Sequence, residues 1–196
     1  MNVRYYHGER IYFRPIELGD AALLTVWLND PENWKTLGRS NPINQLREQA
    51  YIENLYKSDT DVSFGVALKK NDRLIGCCGL HGISAINRSA EFGILIGDRS
   101  RQGLGFGTET TRLMLRYAFE ERNLNRVELS VFADNERGIR AYKAAGFVLE
   151  GRNREAYFRN GAYHDGLRFA ILRSDWRPPE ADDDAVREAA IASLTS

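Results

Sequence analysis

Glycine occupies every second position of the segment Gly103-Leu104-Gly105-Phe106-Gly107, which joins a predicted strand at residues 90–96 to a helical pattern that runs to about Arg122. Glycine lacks a Cβ atom and adopts left-handed backbone angles readily, so this segment predicts a tight turn. Several main-chain N–H groups can converge in such a turn. The first turn of the following helix adds unpaired donors and a partial positive charge. The sequence therefore predicts a strand–turn–helix unit with a site suited to a phosphate.

The residues around the glycines narrow the choice of phosphate ligand. A Walker loop requires Gly-Lys-Ser/Thr, whereas Gly107 is followed here by Thr108 and Glu109, which argues against ATP or GTP. A dinucleotide fingerprint requires a third glycine at the position of Thr108 and lies in the first strand–helix unit. At least four predicted strands precede this turn, which argues against that class. A turn used only for packing remains an alternative at this point.

The remaining hydrophobic patterns alternate between strand and helix periods. The apolar runs predict strands at residues 10–15, 62–69, 74–80, 127–132, 148–158 and 163–172, and helices at residues 21–28, 45–57 and 135–145. The Asn29-Asp30-Pro31 tripeptide is expected to end the first helix. Asn160-Gly161 is a strong signal for a two-residue hairpin turn.

Length and charge exclude several classes of protein. At 196 residues, the chain predicts a single domain over residues 1–176, and residues 177–196 form a compositionally distinct tail whose apolar spacing suits a short helix. Lysine plus arginine total 27 and so do aspartate plus glutamate, which argues against binding to nucleic acid or to an anionic membrane. No apolar run approaches the roughly 20 residues of a membrane span.

The N-terminus and the few cysteines point to a reducing compartment. The first residues lack the apolar core of a secretory signal, and a cytoplasmic location is expected. Cys77 and Cys78 are adjacent, so they are not expected to form a disulfide with each other. On a strand they point to opposite faces, and no metal site can be drawn around them. Of the three histidines, only His81, at a strand end, is a candidate for a catalytic test.

A second motif lies downstream of the glycine-rich turn. Asn135 begins a predicted helix, Tyr142 follows two helical turns later on the same face, and Gly146-Phe147 ends the segment. Gly146 suits the left-handed residue that commonly follows a helix. A buried tyrosine of the core is the alternative interpretation of Tyr142.

Together the two motifs resemble the GNAT superfamily of acyl-CoA-dependent N-acetyltransferases. Gln102, Gly105 and Gly107 match its Gln/Arg-x-x-Gly-x-Gly/Ala pattern, and the downstream motif matches its second block in residue type and distance. The similarity is greatest to the RimJ/RimL-type branch of ribosomal-protein N-terminal acetyltransferases and to spermidine N-acetyltransferases. One departure is Ala144, where many relatives carry a basic residue; here Lys143 stands one position earlier.

The resemblance implies an α/β (α+β) GNAT fold, with a central mixed, mostly antiparallel twisted sheet of about seven strands and about four flanking helices. It implies acetyl-CoA as co-substrate, no metal, and direct acetyl transfer to a primary amine of a protein N-terminus or a small molecule. A polyamine acetyltransferase and a non-catalytic acyl-CoA-binding module are the alternatives. A homodimer is common among such relatives.

The resemblance also assigns roles to individual residues. The cofactor contacts are expected at Leu95, Ile96, Gln102, Gly103, Leu104, Gly105, Phe106, Gly107, Thr108 and Asn135. A main-chain N–H of the strand before the turn is expected to polarise the thioester carbonyl, and that strand is expected to splay from the strand at 127–132. Tyr142 is expected to donate to the departing CoA thiolate, where orientation matters more than acidity.

The chemistry also calls for a base. A lysine-like amine of pKa about 10.4 is neutral in only roughly 10⁻³ of its population at pH 7, a handicap of about 4–5 kcal/mol, whereas an N-terminal amine faces about 1 kcal/mol. Glu91, in the strand before the glycine-rich turn, is the candidate base. The alternative, given equal weight, is that Glu91 forms a structural ion pair with Arg88 or Arg168.

Overall fold

The computed structural model describes residues 4–38 and 41–178. The tail predicted from residue 177 onward falls almost wholly on residues 179–196, which lie outside the described residues. Within the described ranges the strands are β1 (Ile11–Pro15), β2 (Val62–Leu68), β3 (Leu74–Ser84), β4 (Ser89–Leu95), β5 (Arg126–Phe132), β6 (Val148–Arg159) and β7 (Ala162–Leu172). The helices there are α1 (Ala21–Asn29), α2 (Pro31–Leu37), α3 (Gln45–Leu55), α4 (Phe106–Arg116) and α5 (Glu136–Ala144). Helix α4 continues into a π-helical turn, Tyr117–Glu121, which explains the predicted helical pattern to about Arg122.

Helix α2 was not predicted from the sequence, so the described part of the chain has five α-helices rather than about four. The tripeptide that ends α1 also begins α2. The Asp30 carboxylate accepts a hydrogen bond from the N–H of Glu32, and Pro31 takes the first helical position, where its missing N–H is of no consequence. Gly38, with φ of +63°, ends the helix.

The seven strands form one mixed sheet in the order β1-β2-β3-β4-β5-β7-β6. Every neighbouring pair is antiparallel except β4 and β5, which are parallel. The predicted mixed, mostly antiparallel sheet of about seven strands is therefore confirmed. The β6–β7 hairpin turns at Asn160 and Gly161, whose φ values of +51° and +78° are those that a two-residue hairpin turn requires.

The parallel pairing between β4 and β5 is short. It covers three pairs, Ser89 with Arg126, Ala90 with Val127 and Glu91 with Glu128. Both strands continue beyond this point without pairing to each other, so a gap opens between the second half of β4 and the second half of β5. The expected splay is present, and it begins after Glu91.

Two hydrophobic cores lie on opposite faces of the sheet. The larger contains Met114 of α4, and the smaller contains Ile52 of α3. Cys78 belongs to the larger core and Cys77 packs against the smaller one, as expected for adjacent residues of a strand. Both thiols are free. The sheet thus separates a face covered by α4 and α5 from a face covered by α1 and α3.

Candidate active site

The glycine-rich turn, where the sequence predicts an anion site, is followed directly by helix α4. Gly103 and Gly105 have φ of +75° and +85°, in the left-handed region that favours glycine. Helix α4 begins at Phe106, and no side chain among the described residues caps its N-terminus. The N–H groups of its first turn, at Phe106, Gly107 and Thr108, therefore remain available to a ligand. They converge with the positive end of the helix dipole, the arrangement that suits a phosphate.

Hydrogen bonds to Arg10 and Ile11 fix the glycine-rich turn and the start of α4. One carboxylate oxygen of Glu109 accepts hydrogen bonds from the main-chain N–H groups of Arg10 (2.7 Å) and Ile11 (3.2 Å). The other accepts from Nε of Arg10 at 2.9 Å. The Arg10 guanidinium also donates to the carbonyl of Leu104 at 3.0 Å and lies 4.4 Å from the centre of the Phe106 ring. The Arg10–Glu109 pair thus fixes both sides of the turn.

The side chain of Gln102 forms hydrogen bonds to three separate segments of the chain. Its amide nitrogen donates to the carbonyl of Ile96 (2.7 Å) and to the side-chain oxygen of Asn33 (3.0 Å). Its amide oxygen accepts from Arg137 at 2.9 Å. The side chain therefore joins the end of β4 to α2 and α5.

A cavity of about 440 Å³, the first cavity, lies between the end of β4, the glycine-rich turn and α5. The predicted site residues that line it are Leu95, Ile96, Gln102, Gly103, Gly105, Gly107, Thr108, Asn135 and Tyr142. The other three do not line it. Leu104 is exposed, Phe106 is buried in the larger core, and Glu91 lies farther back along β4. The turn presents its glycines to the cavity, and Leu104 and Phe106 can contribute only through their main chain.

Three arginines that line the first cavity were not predicted from the sequence. Arg101 precedes the glycine-rich turn, and Arg137 and Arg140 lie on α5. A chain with no net charge thus has a locally basic cavity, which suits a ligand with several phosphates. The signal that could have identified two of them is their three-residue spacing on the helix after Asn135, which places both on one face.

Asn135 is the N-cap of α5. Its side-chain oxygen accepts from the N–H of Gly138 at 3.0 Å, and the first turn of the helix is fixed in this way. A Cβ atom at Gly138 would lie 2.8 Å from the Asn135 amide nitrogen, so the two residues fit together only because Gly138 lacks a side chain.

Tyr142 lies half-buried at the wall of the first cavity. Its ring meets Phe92 of β4 and Phe147 edge-on, with centroids 6.4 and 6.0 Å apart. Burial raises the pKa of Tyr142 to about 12. The phenol therefore stays protonated at neutral and mildly alkaline pH, where it can act as a hydrogen-bond donor and cannot act as a base.

Neither expected ion pair of Glu91 is formed. Arg88 donates to Asn123 at 2.7 and 2.8 Å, and Arg168 donates to Ser130 and Glu128. Glu91 is exposed and lies directly opposite His81 in the β3–β4 register.

A second cavity of about 160 Å³ lies on the face of the sheet covered by α1 and α3. Its polar lining consists of Glu48, Tyr51, Ser63, Cys77 and His81, among apolar side chains such as Leu24, Leu28 and Ile52. Ile94 and Leu95 line both cavities. The second half of β4, at the gap in the sheet, is therefore the common wall of the two cavities.

Two further observations on residues 4–38 and 41–178 concern side-chain clusters and helix length. No three His, Cys, Asp or Glu side chains are grouped there so as to hold a metal ion. None of the helices in these ranges is both long and apolar enough to span a membrane.

Comparison with known proteins places these features in a family. Residues 10–148 match the family described as the acetyltransferase (GNAT) domain. The putative ribosomal N-acetyltransferase YdaF of Bacillus subtilis (strain 168) is 35% identical over 176 residues, which cover 86% of this chain and 94% of YdaF.

Solved structures agree. Spermidine N-acetyltransferase from Vibrio cholerae in complex with CoA and spermine superposes with a TM-score of 0.80 at 29% identity, covering 85% of this chain and 97% of that one. A dodecameric structure of the same enzyme gives a TM-score of 0.73 at 29% identity, with coverage of 84% and 95%. This chain belongs to the GNAT acetyltransferase family and is an N-acetyltransferase that uses acetyl-CoA.

Proposed function

We propose that this chain moves the acetyl group of acetyl-CoA directly to a primary amine, carried by a polypeptide N-terminus or by a small molecule. The observation that carries the proposal is the gap between β4 and β5, at which the two cavities share Ile94 and Leu95. A thioester in the gap is reached from both cavities. Direct transfer needs this arrangement, since the donor and the amine must meet without an enzyme-bound acyl group.

The first cavity takes the cofactor in this proposal. The main-chain N–H groups of residues 103–108 bind the pyrophosphate, and Arg101, Arg137 and Arg140 lie where further phosphate charge can be neutralised. The pantetheine arm lies along Leu95 and Ile96 as an added strand. The side chain of Gln102 contributes indirectly, because it already binds the carbonyl of Ile96 and holds this part of β4 in place.

Tyr142 and the main chain of β4 serve the reacting atoms. A main-chain N–H in the unpaired half of β4 polarises the thioester carbonyl, where negative charge develops during attack. Tyr142 donates to the leaving sulfur. Asn135 positions Tyr142, because both belong to the helix that Asn135 caps.

Glu91 stays one candidate for the base that takes the proton of the amine. It lies on the same face of β4 as Gly93 and Leu95, which line the second cavity. Arg168, one of its expected partners, pairs with Glu128 instead. Glu91 itself does not line that cavity, so its action on an amine there would pass through water.

A polyamine is the second candidate acceptor. The Vibrio cholerae relative has been crystallised with spermine, and Glu48 is a buried carboxylate at the wall of the second cavity. A carboxylate at the wall adds negative charge to this cavity, which suits a cationic ligand. Both acceptor classes contain a primary amine, so the reaction is the same.

The test is an acceptor screen with the full chain. Acetyl-CoA is incubated with peptides, spermidine and amino sugars in parallel, and free thiol release and the mass increase of each amine are measured. We expect turnover with at least one amine, together with saturable binding of CoA by calorimetry. Binding without turnover of any amine would establish a non-catalytic acyl-CoA-binding module, and absence of CoA binding would refute the assignment of the first cavity.

The organisation of the chain is also part of the proposal. Residues 1–176 act as one catalytic domain, in a cytoplasmic setting in which Cys77 and Cys78 stay reduced. The chain assembles with copies of itself, at least as a homodimer, as the dodecameric structure of the Vibrio cholerae relative suggests. Light scattering coupled to size-exclusion chromatography measures the assembly directly.

A further inference from the structure

His81 and Asp61 form a paired unit at the second cavity. Nδ1 of His81 lies 3.2 Å from Oδ1 of Asp61. Ser58 and Thr60 donate to the other carboxylate oxygen at 2.8 and 3.0 Å, and the N–H of Gly82 points to Oδ1. Burial acts to raise the pKa of Asp61, but these hydrogen bonds together hold it below its ordinary value. The group is therefore a carboxylate at neutral pH.

The ionised carboxylate determines which nitrogen of the imidazole carries the proton. A carboxylate can only accept, so Nδ1 of His81 must be the donor. In the neutral ring the remaining nitrogen, Nε2, then has a free lone pair and can accept a proton. This pairing of a carboxylate with Nδ1 is the one that orients a histidine base in hydrolytic triads.

Nε2 faces Gly93 of β4, the residue that precedes the wall shared by the two cavities. A Cβ atom would lie 3.1 Å from Nε2 if built on Gly79, and 3.4 Å if built on Gly93. These two glycines are direct partners in the β3–β4 register. The ring therefore lies over a pair of glycines, in space that any larger side chain would occupy. It lines the second cavity, and its side chain is 38% exposed.

This position brings Nε2 closer to the shared wall than Glu91 is. Gly93 is two residues from Leu95, whereas Glu91 is four residues away and is exposed. The extra two residues correspond to about 7 Å along a strand. An amine that reaches a thioester at Leu95 through the second cavity occupies a space that His81 also lines.

We propose that His81, held by Asp61, is the catalytic base that takes the proton of the acceptor amine; this inference rests on the proposed function. The amine nitrogen forms its bond to the carbonyl carbon, the carbon–sulfur bond breaks, and the nitrogen loses one proton to Nε2. The sulfur leaves as a thiolate that accepts the hydrogen bond of Tyr142 and takes a proton from solvent. His81 then releases its proton to solvent, and the site returns to its initial state.

The other titratable groups around the second cavity are Glu48 and Tyr51 on α3, Cys77 and Cys78 on β3, and Glu91 opposite His81 on β4. The test therefore compares kcat, KM and their pH dependence among variants of this group.

The central variant is His81→Gln, which can still donate to Asp61 but cannot take a proton. We expect kcat to fall by about 10²–10⁴-fold, the usual contribution of a general base, with the affinity for CoA unchanged. Asp61→Asn should also lower kcat, since an amide no longer dictates the Nδ1–H form of the ring. Glu91→Gln should have a smaller effect than His81→Gln.

His164→Gln is the matched control. His164 faces a carboxylate too, with Nδ1 3.6 Å from Asp134, but it lines neither cavity. We expect this variant to keep the activity of the unsubstituted chain. An unchanged kcat in His81→Gln, or a larger loss in Glu91→Gln than in His81→Gln, would overturn the proposal.

A measurement on the unsubstituted chain makes the test independent of how the variants fold. The chain has three histidines, so the ¹⁵N resonances of His81 can be assigned from single variants of the other two. We expect the Nδ1–H form, and a titration midpoint that coincides with the acidic limb of kcat/KM. The Nε2–H form, or a midpoint unrelated to that limb, would refute the role of His81. Binding of acetyl-CoA with no turnover of any amine would refute the proposed function together with it.

Discussion

The pKa of Tyr142 allows the effect of its removal to be predicted in magnitude. At a pKa of about 12 the phenol is a far weaker acid than a thiol with a pKa near 8.5. Complete proton transfer from the phenol to the thiolate would then be uphill by about 5 kcal/mol. In the proposed mechanism Tyr142 therefore stabilises the leaving group as a hydrogen-bond donor, and a bond to a charged partner contributes about 1.5–3 kcal/mol.

Tyr142→Phe should therefore lower kcat by about 10- to 150-fold, which is that free energy expressed as a rate. The ring contacts with Phe92 and Phe147 remain in this variant, so we expect the fold and the affinity for CoA to be unchanged. The assay is thiol release at saturating acetyl-CoA and amine, with calorimetry for CoA. Tyr163→Phe is the control, because Tyr163 lies exposed on β7 and lines neither cavity.

The pH profile separates this account from general acid catalysis. A phenol with a pKa of about 12 gives no loss of activity up to pH 10, whereas an acid catalyst matched to the thiol would give a basic limb below that pH. A basic limb in the unsubstituted chain that Tyr142→Phe abolishes would refute the hydrogen-bond account. A loss of less than twofold in the kcat of Tyr142→Phe would refute it too.

Three further predictions follow from the same geometry. Gly105→Glu should weaken CoA binding by at least 100-fold, because it places a carboxylate at a left-handed position of the proposed anion site. The control Gly19→Glu, which has open space around it, should bind CoA normally. Equal affinities of the two variants for CoA would mean that the turn is only structural. Glu109→Ala removes three hydrogen bonds that join α4 to Arg10 and Ile11, so we expect a loss of about 2–3 kcal/mol in the free energy of unfolding and weaker CoA binding. An unchanged Tm and Kd would contradict this prediction. Folding raises the pKa of Tyr142 to about 12, so its neutral phenol contributes fully to the free energy of unfolding below pH 10. This contribution, about 2–3 kcal/mol, is lost as the pH rises toward 12. The alkaline denaturation curve of Tyr142→Phe should lack this component.

Local signals in the sequence predicted the elements well. The glycine-rich turn, the Asn160-Gly161 hairpin and the left-handed Gly146 each depend on the backbone preferences of a few neighbouring residues, and all three are present. The same locality explains why the tripeptide at Pro31 correctly predicted the end of α1 but not the start of α2. A proline after Asn29-Asp30 ends one helix and can begin the next, and the tripeptide alone does not distinguish the two outcomes.

The supports of the site could not be predicted, because they join distant residues. Glu109 binds Arg10 across 99 positions, and Gln102 binds Asn33 across 69. Each of these side chains is unremarkable in its own segment. Gln102 shows the consequence clearly: the family pattern identified the residue, and only the fold shows that its amide is engaged by β4, α2 and α5 rather than free for a ligand.

In the proposed mechanism strand β4 contacts both the cofactor and the acceptor amine, because its neighbouring residues point to opposite faces. Phe92 packs against Tyr142 at the first cavity, and Gly93 lies under His81 at the second. A shift of β4 by one residue would exchange these faces, so the register with β3 places the leaving group and the incoming amine on opposite sides of the gap.

The cofactor half is built from β4, the glycine-rich turn and α5, whereas the second cavity is closed by α1 and α3. Acceptor preference can therefore change through side chains of α1 and α3 while the cofactor half stays as it is. Substitutions at Tyr51 should accordingly change KM for the amine and leave Kd for CoA unaltered, and a parallel change in both constants would show that the two halves are not separable.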